Sequence, residues 1–211
     1  MATRLRTAPT KSALLNLRKQ VRFLEDGHSL LERKRELLTR LVYQHIKQYQ
    51  DKKKTAHNAL RLAYRWLAIA QLRMGDRSIA RATLGAAPSV SMKVLPRRSL
   101  GVQYPSIEAS VVAPKPVGLL GTDPSFDEAR RAFATASVHL AELAAVEMAL
   151  YRLISEQRKA QKRVNALKYN IIPSYRKVIK QIAEALEEEE RGTLFQIKRL
   201  RDKAQRKQPA A

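Results

Sequence analysis

The sequence predicts an all-α chain: a long antiparallel two-helix coiled coil with a short β-hairpin and irregular segment at the loop end. Three observations carry this. Apolar residues recur at alternating three- and four-residue spacing through two long stretches, from Thr10 to Met74 and from Ser125 onward. Between them the texture changes, and Pro88, Pro96, Pro105, Pro114, Pro116 and Pro124 fall close together. The composition is 45% hydrophobic but only 6% aromatic, rich in Ala and Leu. Such side chains suit helices with closely spaced backbones better than a sheet-built core.

Pro9-Thr10-Lys11-Ser12 supplies the start of the first helix, with Thr10 or Ser12 able to cap it. Its seam reads Leu14, Leu17, Val21, Leu24, Leu31, Leu38 and Val42, with His28 and Arg35 as polar intrusions and Leu30, Leu37 and Leu41 widening the stripe. It continues as Tyr49, Ala56, Ala59, Ala63, Trp66 and Ala70. From Thr10 to Met74, at 1.5 Å per residue, this is a helix of roughly 100 Å. No helix that long is stable alone in water, so its stripe needs a partner throughout. The N-terminal long helix is assigned to 10–84, with Gly75-Asp76 as an alternative end. The connecting segment is 85–124, and within it Val90–Val94 and Val102–Tyr104 alternate as strands around a turn spanning Leu95 to Gly101.

Asp123-Pro124-Ser125 opens the second long helix, 125–207, as a capping residue followed by proline in the first turn. Its seam runs Phe126, Ala129, Phe133, Ala136, Leu140, Leu143, Leu150 and Ile154, then Val164, Leu167, Ile171, Tyr175, Val178 and Ile182. Two helices joined at one end run antiparallel, and the partners' numbers then sum to about 201. That rule sets Gly27 beside Pro173, predicting one shared bend where glycine loosens one helix and proline deforms the other. It sets Ala56, Ala59 and Ala63 against Ala136, Ala141 and Ala144. It also leaves Gly192 to Gln205 overhanging as a single helix. The basic, acid-poor opening, 1–9, reads as a disordered terminus rather than a transit peptide, and 208–211 as a disordered tail.

The chain has 41 Lys and Arg against 19 Asp and Glu, a formal charge of +22. That surplus attracts a polyanion, an acidic lipid surface or an acidic protein. There is no cysteine, which removes disulfides and thiolate metal sites. No run of eighteen apolar residues occurs, so direct membrane insertion is not expected. No glycine-rich phosphate loop, H-E-x-x-H or G-x-S-x-G appears, and His28, His45, His57 and His139 lack metal-ligand spacing. No catalytic residue, cofactor site or metal site is expected. Glu187 to Glu190 reads as a solvated helix face balanced by Arg191, Lys198 and Arg199. The rival reading is a basic coiled coil that binds nucleic acid through Lys52-Lys53-Lys54 and Arg199 to Lys207, or one that serves as a scaffold. Against nucleic acid, the basic residues are interleaved with acids, and Tyr43, Tyr49 and Trp66 fall at core-like helical spacing.

One stretch is more specific than any periodicity. Arg163-Val164-Asn165-Ala166-Leu167, with Pro173 six residues on, resembles the C-terminal helix of the D subunit of V-type rotary ATPases. Gly27-His28 with Leu30-Leu31-Glu32-Arg33-Lys34-Arg35 is similar to the N-terminal helix of that family. Gly101-Val102 with Pro105-Ser106-Ile107 is similar to its hairpin, and Phe126-Asp127-Glu128-Ala129 to the start of its second helix. Lys168 departs from the family, which usually has an acid there.

The resemblance implies a non-catalytic rotor shaft on the cytoplasmic face of a membrane, transmitting torque between a catalytic hexamer of A and B subunits and an ion-translocating ring. The expected partners are the A, B and F subunits and the membrane-side stalk subunit, with no nucleic acid. It implies hexamer contacts at Leu14, Leu17, Val21, Leu194, Phe195, Ile197, Arg199, Leu200 and Arg201. Contacts to the F subunit fall on Tyr43, Lys47, Leu150 and Tyr151. The hairpin, with Val90, Gly101, Val102, Pro105 and Ile107, is implied to tune the rate of ATP turnover.

Overall fold

The computed structural model describes residues 8–113, 115–117 and 121–207. The termini read as disordered lie, at 1–7 and 208–211, outside the described residues. The elements in chain order are α1 (Lys11–Met74), α2 (Asp76–Leu84), β1 (Val90–Ser99), β2 (Val102–Val111), α3 (Pro124–Ala166), a π-turn (Leu167–Ile171) and α4 (Ile172–Lys207). They form two compact units: Met1–Lys34 with Lys159–Ala211, and Arg35–Arg158.

In the first unit, Thr10 caps α1, its Oγ1 accepting the Ala13 N–H at 3.2 Å. The start of α1 and the α4 helix run antiparallel. Lys11 Nζ lies 2.7 Å from Glu190, and Arg176 Nη2 2.6 Å from Glu25, both in the register estimated from sequence. Between the helices Leu17, Val21, Ala160, Val164, Ile172 and Ile182 are buried. Beyond Leu186 every residue through Lys203 is exposed, as the overhang required.

Pro173 explains the π-turn. It has no N–H to give, and its ring would press on the carbonyl four residues back, so an α-helix must yield just ahead of it. It yields by taking in one extra residue, and the Ile172 N–H donates to Leu167 O five positions earlier. The extra residue rotates everything after it. Val164 is buried, but the next seam position is Ile172, and Ile171, expected there, is 36% exposed. At the place of the expected shared bend, the helix that carries Pro173 has a π-turn. Gly27 plays no steric part in it, because a Cβ there would meet nothing within 4 Å.

In the second unit, the helix expected over 10–84 is interrupted at Gly75, whose φ of 75° is a left-handed value that glycine adopts without strain. At the start of α3, Asp123 Oδ2 accepts the N–H of Ser125 at 2.9 Å and also its hydroxyl, and Pro124 takes the first turn. Arg73 reaches the same carboxylate at 3.3 Å and ties the end of α1 to the start of α3. Lys52 to Glu142 at 2.6 Å and Tyr64 edge-on to Phe133 at 5.5 Å mark the antiparallel pairing further along.

The core of this unit is mostly alanine. Ala56, Ala63 and Ala70 are buried, as are Ala136, Ala141, Ala145 and Ala149, with Leu38 and Leu153 as the large fully buried side chains. This corrects the expected seam. Leu140 is 41% exposed, Ala144 is exposed, and Leu37, like Leu30 in the first unit, faces solvent in place of widening the stripe. Around Leu140 the inward positions of α3 go to Ala136, Ala141 and Ala145, whose small side chains let the backbones approach. By length and hydropathy alone, one window within the long helical run that α3 opens would pass for a membrane span. The buried seam of α3 is alanine, and Glu142 on that helix is ion-paired.

Gly27→Ala should stabilise the chain by about 1 kcal/mol, raising Tm by roughly 2–4 °C; a fall on thermal melting would show that the helix needs glycine there. Leu153→Ala, at a fully buried site, should cost about 2–5 kcal/mol in denaturant unfolding.

Candidate functional site

The described residues hold no cluster of three His, Asp or Glu side chains able to bind a metal ion. What they offer instead is surface, at two places.

The first is the hairpin of the second unit. β1 and β2 pair antiparallel through ten residues each, from Val90↔Val111 to Ser99↔Val102. The turn is only Leu100-Gly101, at φ 48° and 80°, both left-handed, and not the wide Leu95–Gly101 turn expected from sequence. This is the tight geometry that matches strand twist, but it usually takes Asn or Gly at the first position. Leucine there is strained. Near the turn, Arg152 of α3 donates from Nη1 to Gln103 O at 2.8 Å, and Tyr104 meets His45 of α1 edge-on at 5.9 Å. The sequence assigns no contact to Arg152 or His45, because nothing in helical spacing marks a contact with a distant strand.

The register sorts the hairpin into two faces. One face carries Val102, which is buried, and Tyr104, which meets His45, together with Ser106, half-buried, and Ser91, Lys93, Leu95, Arg97 and Glu108, all exposed. The opposite face carries Val90, Met92, Val94 and Pro96 beside Pro105, Ile107, Ala109 and Val111, ending in Arg98 and Gln103. Met92, Val94 and Val111 there are 49%, 64% and 48% exposed. Val90, Pro105, Ile107 and Ala109 on the same face are half-buried, so neither face of the hairpin is wholly covered or wholly open.

Of the residues expected to meet the F subunit, Tyr43 and Tyr151 are strongly exposed, Lys47 is exposed and Leu150 is half-buried. Tyr43 therefore is not the core aromatic that its spacing suggested, while Tyr49 and Trp66 are half-buried.

The second surface is the end of α4. Leu194, Phe195, Ile197 and Leu200 are exposed, and the Arg199 guanidinium lies over the Phe195 ring at 6.0 Å. Arg201 is exposed beside them. The start of α1 and α4 enclose an open groove of about 590 Å³, lined by Pro9, Thr10, Leu186, Thr193 and Leu194 with the Lys11–Glu190 pair. Leu17 and Val21, expected on this outward surface, are instead buried between the helices, and Leu14 is half-buried. Hydrogen bonding from Lys11 holds the Glu190 carboxyl below its ordinary value.

The motif stretch opens the π-turn. Val164 is buried, Ala166 and Leu167 are half-buried, and Arg163 and Asn165 are exposed, with Asn165 Oδ1 accepting from Gln161 at 2.8 Å.

Comparison with known proteins places residues 13–202 within the family described as the D subunit of ATP synthase. The chain is 34% identical over 200 residues to the V-type ATP synthase D subunit of Thermotoga neapolitana, covering 94% of this chain and 98% of that one. It is 31% identical over 194 residues to the A-type ATP synthase D subunit of Methanosphaera stadtmanae, covering 90% and 91%. To the A-type D subunit of Methanopyrus kandleri it is 32% identical over 206 residues, covering 94% and 87%.

The Lys52–Glu142 pair makes stability depend on pH. The hydrogen bond from Lys52 depresses the Glu142 carboxyl in the folded chain. Its contribution is therefore complete above the unfolded carboxylate's pKa and lost as pH falls through the lower folded value. Lys52→Gln should lower Tm near neutral pH and converge on the parent chain in acid, once the pH has fallen below the depressed Glu142 carboxyl. A gap that persists undiminished in acid would contradict this.

Proposed function

The chain belongs to the ATP synthase D-subunit family, and from that membership we propose that it is the central-stalk rotor of a V-type or A-type ATP synthase. It carries torque between the catalytic subunits, where ATP is made or hydrolysed, and the membrane ring that moves protons or sodium ions. The observation that carries this reading is the family match over residues 13–202, nearly the whole of the paired helices.

The chain itself performs no chemistry. It works on the cytoplasmic face, bound to the A, B and F subunits and to the membrane-side stalk subunit, with neither nucleic acid nor a membrane insertion of its own. Leu194, Phe195, Ile197 and Leu200, with Arg199 and Arg201, meet the A/B hexamer. Their exposure on a helix end without a partner helix among the described residues supports that use. Tyr43, Lys47 and Tyr151 serve the F subunit, with Leu150 beneath them. Two helices packed along a seam resist twisting better than one. A coat of long Lys and Arg side chains remains hydrated against an acidic bearing, and long-range attraction of this kind sets partner choice more than affinity.

Purification of the tagged chain from native membranes should bring the A, B and F subunits with it. Recovery of RNA or DNA that salt removes, without those subunits, would contradict the proposal. Reversing two charges, Arg199→Glu with Arg201→Glu, should weaken association with the hexamer by about tenfold or more at physiological salt. Unchanged binding would exclude an electrostatic role for this end.

A further inference from the structure

The apolar face by which α4 packs on the start of α1 does not stop where α1 stops. Ile172, Tyr175, Ile179, Ile182 and Leu186 are its buried or half-buried positions. Stepping on at 3.6 residues per turn gives Glu190, Thr193, Ile197 and Leu200, with Leu194 alongside. Leu194, Ile197 and Leu200 are exposed, and no described residue stands opposite them.

The chain enters α1 on that same face. Pro9 and Thr10 line the groove together with Glu190, Thr193 and Leu194, so whatever precedes Pro9 leaves from the foot of the open stripe. Thr10 caps α1, and the residue before a proline is disfavoured in a helix, so α1 is not continued backwards from there. Met1 to Thr7 lie outside the described residues. Their sequence has two properties that a cover needs. In an extended chain side chains alternate, which puts Met1, Thr3, Leu5 and Thr7 on one side and Arg4 and Arg6 on the other. Met1 to Ala8 then spans about 25 Å, and α4 rises about 25 Å from Arg191 to its end at Lys207.

We infer that in the free chain Met1–Thr7 lies extended along the open stripe of α4, in place of the disorder expected from its charge. Four extended residues before Pro9 cover about 13 Å, which brings Leu5 to the level of Leu200. The contact is apolar and not ionic, because Lys198, Arg199, Arg201 and Lys203 outnumber Asp202 on this stretch of α4. Repulsion from Arg4 and Arg6, and the entropy lost on ordering the segment, keep the cover weak. An acidic partner is attracted by the same charges. The segment therefore shields the stripe while the chain is free, and the catalytic subunits displace it when they take the tip. The displacement rests on the rotor reading above; the cover does not.

The chain has no cysteine, so Leu5→Cys with Leu200→Cys gives the free, full-length chain two thiols. Under mild oxidation they should join within one molecule about tenfold faster, or more, than Leu5→Cys with Asp202→Cys. Position 202 lies at nearly the same height on the opposite side of α4. Each rate is divided by that of the α4 thiol alone with a small disulfide, which removes the effect of neighbouring charge. Equal rates for the two pairs, as a loose tether gives, would overturn the inference, and so would joining only between molecules. The chain closed by the first disulfide should bind the catalytic subunits about tenfold more weakly, or less, than the same sample after reduction. Equal binding before and after reduction would overturn the displacement. If the natural chain does not bind the catalytic subunits at all, the rotor reading fails, while the two disulfide rates still decide the cover.

Discussion

A helix of 64 residues has to be covered along its length, and that requirement governs the rest of this structure. Helical propensity cannot hold it, since α1 contains Gly27, the histidines at 28, 45 and 57 and the tyrosines at 43, 49 and 64, none of them strong helix formers. The apolar stripe has to meet another helix turn by turn. In the second unit the solution is alanine on both sides, which brings the backbones close and fixes almost no side-chain entropy. In the first unit larger aliphatic residues fill the same role, and the helix opposite carries a proline inside its run. The π-turn at Leu167–Ile171 lets that helix continue past Pro173 without abandoning its apolar contact.

A chain built this way has a narrow core and a great deal of surface. Polar chemistry is therefore spent on ties between helices, at Lys11–Glu190, Glu25–Arg176, Lys52–Glu142 and Arg73–Asp123, and none of these converges on an enclosed site. Large apolar side chains left in solvent are the informative feature, because a free-standing protein has no use for clusters of them. They run along α1, at Leu15, Phe23, Leu30, Leu62 and Leu72, and recur at the end of α4 and on the hairpin, which is what a component of a larger assembly requires.

Much of this was legible in the sequence. Thr10 and Asp123 announced the caps, Gly75 an alternative helix end, and the change of texture between Gly85 and Pro124 the two-stranded insert. The antiparallel register estimated from where the two long runs meet holds in the first unit, at Lys11–Glu190 and Glu25–Arg176, but in the second, at Lys52–Glu142, Tyr64–Phe133 and Arg73–Asp123, it is off by four to seven residues. What escaped was whatever depends on a single residue of phase. The heptad count ran straight through Pro173 and chose Ile171, whereas the π-turn rotates Ile172 inward. Leu140 falls on the three-and-four spacing, yet the inward positions around it go to Ala136, Ala141 and Ala145. The wide turn expected over Leu95–Gly101 gives way because the strands carry on through Pro96, pairing it with Pro105. The surface residues were the least legible, since nothing in periodicity tells Leu17, which is buried, from Leu194, which is not.

One mechanical claim underlies the functional reading: this chain turns while the catalytic subunits stand still. A bead attached through one engineered cysteine in the otherwise cysteine-free chain, within a complex immobilised by its catalytic subunits, measures that directly. Addition of ATP should drive unidirectional, stepwise rotation of the bead. A bead that only fluctuates about a fixed angle, in complexes that are hydrolysing ATP, would contradict it.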